Sequence, residues 1–414
     1  MNSLKRKGIK NIITFISAII IVFLMLSQVA FSSGNGSNIT SKTTIGKSAN
    51  VNDITPFTNT SSSNPGSVIY TLFLNNNTLL KGNVMVNRTG VAPYAIAYDS
   101  ANNYIYVANS NSSNVSVING ATNSVIARIS VWSGEDGMAY DSVNNYIYIA
   151  NGGSNNVSVI NGVTNTVIAN IFVGPLPEGV AYDPSNNYVY VGHGAYPQTL
   201  GLSILVFVIN CASNTVIANI SVGSRGWPDA IAYDSSNNYL YVACAIDKVS
   251  VINGATNSVI TNLTVGTYPD AVAYDPSNNY VYVANGGSNN VSVINGATNA
   301  VIASISVGSE PYAIAYDSGN NYIYVCNGDN VSVINGATNS VIASISVGSE
   351  PYAVAYDPSN NYIYVANFDS GSISIISTYE NPYSLLIGVI AIVIVVALMT
   401  IGFVMGIRKI KGRY

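Results

Sequence analysis

Pro351-Tyr352-Ala353-Val354-Ala355-Tyr356-Asp357-Pro358-Ser359-Asn360-Asn361-Tyr362-Ile363-Tyr364-Val365-Ala366-Asn367 is one copy of a sentence that this chain writes seven times. The Asp that closes its Ala-Tyr-Asp triplet returns at Asp99, Asp141, Asp183, Asp234, Asp275, Asp317 and Asp357, at intervals of 42, 42, 51, 41, 42 and 40 residues. A period of this length, filled with strand-like text, predicts a ring of small antiparallel sheets: an all-β, seven-bladed propeller with four-stranded blades.

Within one unit, Tyr312 to Asp317 reads as strand a, and Tyr322 to Val325, β-branched and aromatic, as strand b. Between them Asp317-Ser318-Gly319-Asn320-Asn321 is turn chemistry, because Asp accepts from backbone two residues on and Asn tolerates positive φ. Asn330 to Ile334 reads as strand c, Asn335-Gly336 opens a hairpin, and Val341 to Val347 alternates as strand d. No long 3.6-period stretch separates the units, so βαβ architectures are excluded. The last unit supplies strands a to c, ending at Ile373 to Ile376, and lacks a strand d. Thr78 to Val86 resembles that missing strand, so an N-terminal strand is expected to close the last blade. A further strand-like run, Val68 to Leu74, has no assigned place.

The Tyr-Val-Ala-Asn text at Tyr106 to Asn109, Tyr282 to Asn285 and Tyr364 to Asn367 resembles the YVTN family of β-propeller repeats, with Ala where that family has Thr. The resemblance extends through the Val-Ser-Val-Ile-Asn-Gly-Ala-Thr-Asn segments and covers roughly residues 67–379. It implies an extracellular or surface-layer protein of archaeal type. A fold transfers through such a likeness more safely than a function does.

The chain's ends point to the same compartment. Residues 1–32 read as a signal peptide, with Lys5, Arg6, Lys7 and Lys10 ahead of an apolar run. Residues 33–66, rich in Ser, Thr and Asn, read as a linker. Residues 385–407 are apolar and uncharged, long enough for a transmembrane helix, and the basic tail at 408–414 places that end in the cytoplasm. The expected location is therefore the cell membrane, single-pass, with the propeller outside.

Charged residues make up 8% of the chain, and between residues 67 and 379 five cations face seventeen acids. Nucleic acid is excluded as a partner, because phosphate binding needs cations. So charge-poor an exterior suits an acidic medium, in which carboxylates are protonated. Sequons are frequent, and glycosylation is expected at Asn114, Asn156, Asn219, Asn262, Asn290 and Asn330. Three cysteines make no disulfide framework, and one histidine, His193, makes no transition-metal site.

The seven repeat Asps are explained by their turns. Other acids fall in or beside the loops from strand d to the next strand a: Glu135, Asp136, Glu178, Asp229, Asp270, Glu310 and Glu350. Glu135, Glu178, Asp229, Asp270, Glu310 and Glu350 form a candidate cation rim around the central channel, where oxygen ligands would suit Ca2+. Arg88 and Arg225 interrupt it, and Trp132, Trp227, Tyr268, Tyr312 and Tyr352 stand beside it. No catalytic constellation and no cofactor motif is legible. The expected function is a non-enzymatic surface-layer component or adhesion scaffold, with other surface proteins, glycans or copies of itself in a lattice as partners. The alternatives are a metal-dependent hydrolase or lactonase-type propeller enzyme, or a cation- or sugar-binding surface receptor.

Overall fold

The computed structural model describes residues 68–75, 78–88, 90–194, 204–223, 227–245 and 247–378. The expected signal peptide, linker, transmembrane segment and tail lie outside the described residues, as do Arg225 and residues 195–203. No helix among the described residues is long and apolar enough to cross a membrane.

Six sheets have four antiparallel strands in chain order; the first blade is Pro93–Asp99, Tyr104–Asn109, Asn114–Asn119 and Ser124–Ser130. The seventh sheet runs Val68–Asn75, Thr78–Arg88, Ser372–Ser377, Tyr362–Asn367, Pro351–Asp357. Here Thr78–Arg88 pairs with Ser372–Ser377 in the register Val84 to Ile376, and Val68–Asn75 lies outside it as a fifth strand. Strand a of every blade contacts strand a of both neighbours, and the seventh (Pro351–Asp357) contacts the first (Pro93–Asp99). Seven a strands therefore ring a central channel.

Burial explains the composition. Strands b and c are buried along almost their whole length, whereas strand d typically buries a single residue, as in Ser124–Ser130. Blades stack face to face, so both faces of b and c lose water and their text is nearly continuous in apolar residues. In six of the blades the second Tyr of strand b is fully buried, and its hydroxyl donates to a left-handed Asn in the c–d turn of the next blade: Tyr106 to Asn165 at 2.6 Å, Tyr241 to Asn299 at 2.6 Å. Tyr364 of the seventh blade reaches Asn123 of the first at 2.6 Å, continuing the stitch around the ring.

The repeat Asps are completely buried and cap their turns; Asp99 Oδ1 accepts from the N–H of Ala101 at 2.9 Å. At the end of strand b a buried Asn recurs (Asn109, Asn151, Asn285, Asn327, Asn367), hydrogen-bonded to a Ser on strand c, as when Asn285 donates to Ser292 at 3.0 Å. His193 takes this slot in the third blade and Cys244 in the fourth. His193 is 6% exposed and packs edge-on against Phe207. Cys211, Cys244 and Cys326 are all buried and free.

Candidate binding site at the channel mouth

Strand a begins with a register shift against strand b in most blades: between Pro93 and Ala95, Glu135 and Gly137, Pro228 and Ala230, Pro269 and Ala271, and Pro351 and Ala353. In the third blade the shift spans Pro177 to Val180. A bulge re-aims the side chain it carries. The bulged residues are Tyr94, Asp136, Glu178, Asp229, Asp270 and Tyr352. Together with Tyr312, they line one cavity of about 570 Å³.

Those seven positions divide the mouth into two walls. Blades two to five supply Asp136, Glu178, Asp229 and Asp270; blades six, seven and one supply Tyr312, Tyr352 and Tyr94. The tyrosines stack in series, Tyr312 on Tyr352 at 4.6 Å and Tyr352 on Tyr94 at 5.2 Å between ring centres, with Phe368 packed behind them. The lining also includes Ala95, Ala230, Ala271, Ala313 and Ala353, and the apolar Ile96, Val272, Ile314 and Val354.

The carboxyls are crowded. In the second and third blades the residue after the bulged acid is glycine. A Cβ on Gly137 would collide with the carbonyl of Glu178, and one on Gly179 would sit 2.8 Å from Ala230 Cα. These glycines let three successive a strands approach closely enough to gather Asp136, Glu178 and Asp229. Glu178 and Asp229 come from adjacent a strands and influence each other's proton affinity. Desolvation pushes Asp229 up to about 10, with the Glu178 contact adding to it; Glu178 is raised by desolvation as well. Desolvation and then Glu178 raise Asp136 to about 7, and desolvation lifts Asp270 to about 6.

Each outer acid leans on a backbone N–H, Asp136 on Gly152 and Asp270 on Gly286, which moderates its shift. Both glycines open a Gly-Gly-Ser 3-10 turn, at Gly152–Ser154 and Gly286–Ser288, and a Cβ on either would collide with the carboxylate it serves. Across the channel the Tyr94 hydroxyl is raised by desolvation and by the field of Asp136, Glu178 and Asp229.

The residues expected to form a cation rim are placed differently from one another. Glu178, Asp229 and Asp270 do line the mouth. In the second blade the backbone of Glu135 takes the proline position, paired with Asn151, and Asp136 is the bulged residue that lines the cavity. Glu310 and Glu350 lie two residues before the equivalent positions, at left-handed corners (φ 51° at each), and the cavity residues of those blades are Tyr312 and Tyr352. Glu310 is exposed and accepts from the Tyr312 hydroxyl at 2.7 Å. Among the described residues no three His, Cys, Asp or Glu side chains come together in a way that could hold a metal ion. The aligned signal was present in the sequence: each cavity residue stands five positions before a repeat Asp.

The sequon asparagines also separate. Asn114, Asn156, Asn290 and Asn330 are half-buried, and their side chains are engaged locally: Asn114 donates to the Ser112 carbonyl at 2.9 Å, and Asn290 accepts from Asn285 at 2.8 Å. Asn219 and Asn262, on strands d, are exposed.

No family model matches the chain, and no curated protein matches it. Among solved structures it is similar to hydrazine synthase of Kuenenia stuttgartiensis, with a TM-score of 0.63 at 19% sequence identity, covering 70% of this chain and 96% of that one. At that identity the likeness speaks to fold alone. With the sheet order, it makes the chain a seven-bladed β-propeller.

Proposed function

We propose that this chain is a non-enzymatic interaction module of a cell surface. In this reading residues 385–407 anchor it in the membrane, the propeller faces outward, and a ligand enters the channel mouth. The YVTN-like repeats and the surface-layer setting belong to the same reading. The observation that carries it is the division of seven equivalent strand positions into four contiguous acids and three stacked tyrosines around one cavity. A cavity of this size falls within the roughly 300–1,000 Å³ range of small-ligand sites. Aromatic rings beside oxygen acceptors suit a hydroxyl-rich ligand. Metal-dependent hydrolysis is less well supported, because the acids face the cavity from separate blades and His193 is buried outside its lining.

Two measurements test this. Thermal-shift titration with saccharides released from the native envelope should stabilise the protein. Replacing Tyr352, the middle ring of the stack, by Ala should weaken that binding by about fivefold or more; an unchanged response would remove the channel from the reading. Proteolysis of intact cells, followed by mass spectrometry, should release propeller peptides, with sugar on Asn219 and Asn262. Peptides that appear only after lysis would place the propeller inside.

A further inference from the structure

We propose that the face opposite the channel mouth, built from the a–b and c–d turns, docks on the surface of a lipid bilayer, seated through Val143 and Val163. This rests on residues 385–407 being a membrane anchor, and it adds which face of the propeller the bilayer covers.

Charge is divided between the two ends of the blades. The seven a–b turns and the six c–d turns contain no Lys, Arg, His or Glu. Their charged residues are the seven repeat Asps, and each of those is completely buried. What these turns present is Asn, Ser, Thr, Ala and Gly. The acids of the channel mouth lie at the other end, as do Asp247, Lys248, Asp329 and Asp369 in or beside the b–c loops. Exposed carboxylates pressed against a bilayer lose water and are repelled by anionic lipid. Only the turn face avoids both costs.

The second blade departs from the other repeats on this face, both times toward an apolar residue. Val143 stands two residues after its repeat Asp, where four other blades have Ser. Val163 stands two residues after Asn161 in its c–d turn, where the other five c–d turns have Ala. They are 64% and 71% exposed, and their turns are joined, since the N–H of Gly162 donates to the Asn145 carbonyl at 2.9 Å.

The path of the chain names the occupant. Thr378 follows the Ser372–Ser377 strand out at this face, where its N–H and hydroxyl both donate to the Asn361 carbonyl, at 2.9 and 3.0 Å. The apolar stretch begins at Leu385, and a fully extended link of that length reaches roughly 25 Å. The channel mouth is a further blade's length away. The Val68–Asn75 and Thr78–Arg88 hairpin also runs past the Ser372–Ser377 strand on this side. Its pairing with that strand stops at Val84, and the part beyond carries Leu72, Phe73, Leu74, Leu79 and Leu80 with one charged residue, Lys81. A second copy has an equally uncharged face, but two copies anchored in one bilayer both turn that face toward the lipid. Two valines hold a surface weakly by themselves; the anchor supplies the effective concentration that makes the contact persist. With no charge in it, the contact is insensitive to salt.

The experiment places the full chain in phosphatidylcholine vesicles with a fluorophore on one introduced cysteine. Ala121→Cys puts the label on an exposed c–d turn, and Trp132→Cys puts it at the opposite end, at a residue 54% exposed. The native cysteines are buried, so the introduced one takes the label. Lipid carrying a headgroup nitroxide should quench the Ala121 label at least about twofold and leave the Trp132 label unchanged, equally at about 0.05 and about 0.5 M salt. Val143→Ser with Val163→Ala, residues that other blades carry there, should remove at least about half of that quenching with the melting temperature unchanged. Quenching untouched by the double substitution overturns the seating. Vesicles that carry the chain but quench neither label, or quench the Trp132 label instead, overturn the docked face and leave the anchor standing. Energy transfer between Ala121 labels on different chains that persists in detergent gives the face to a second copy and overturns the proposal. A chain that does not float with the vesicles overturns the anchor, and the docking with it.

Discussion

Gly137→Ala and Gly179→Ala should each destabilise the propeller by about 3 kcal/mol or more, lowering its melting temperature by roughly 6–12 °C. A methyl group is small, but here it meets main chain. The added Cβ at Gly137 runs into the carbonyl of Glu178, and at Gly179 it lies 2.8 Å from Ala230 Cα and 3.0 Å from the carbonyl of Asp229. Main chain cannot rotate away as a side chain can, so two a strands must part, and the parting is transmitted into the buried b and c strands behind them. The equivalent positions elsewhere carry Ala: Ala95, Ala230, Ala271, Ala313 and Ala353. The restriction therefore belongs to the junctions among the second, third and fourth blades, where the carboxyls are gathered. The same substitutions should also loosen the Glu178–Asp229 contact and bring Asp229 down toward the ordinary carboxylate range. Thermal melts, with Ala230→Gly as a comparison, check the first claim, and titration of Asp229 by isotope-edited spectroscopy checks the second. A loss below about 1 kcal/mol at both glycines would mean that the strands have slack.

The architecture was legible because it rests on repetition. A period read seven times averages out local ambiguity, and turn residues with αL geometry (Asn103, Asn145, Asn187, Asn238, Asn279, Asn321, Asn361) recur at each a–b junction. Strand limits shifted by only a residue or two; the unit read as Asn330 to Ile334 and Val341 to Val347 forms Asn330–Asn335 and Ser340–Ser346. The site was half legible, for a reason of scale. A bulge displaces the chain by a single residue and leaves no mark in the spacing of repeats. Glu135 and Asp136 are therefore equal candidates in the text and unequal in space. Glu310 and Glu350 look like members of a ring that includes Asp270, until the offset from the repeat Asp is counted. Tyr312 and Tyr352 were legible beside the acids, but Tyr is so frequent in strands a and b that Tyr94 does not stand out until its equivalence to them is seen.

The chain should be more stable at pH 5 than at pH 8, by on the order of 3 kcal/mol after allowance for water in the channel. In the unfolded chain these carboxyls release their protons near pH 4. In the folded chain Asp270 holds its proton to about 6, Asp136 to about 7 and Asp229 to about 10, and Glu178 is raised as well. From about pH 4 upward the native state therefore binds more protons than the unfolded state, and stability must fall as pH rises through that window. His193 works the other way. Its burial lowers its affinity for protons, so it costs stability as pH drops below its ordinary value. One imidazole is set against four carboxyls, and the carboxyls prevail. Chemical denaturation across pH 4.5–8.5 measures the slope, and the double substitution of Asp136 and Asp270 by Asn should reduce it below about pH 7 while leaving the part carried by Glu178 and Asp229, since an amide has no proton to lose. A stability maximum near pH 8 in the unsubstituted chain would contradict the crowding of the arc. The predicted slope also gives the charge-poor exterior a physical setting: a protein whose channel acids are neutral when folded tolerates an acidic medium, in which extra surface lysines would only add repulsion.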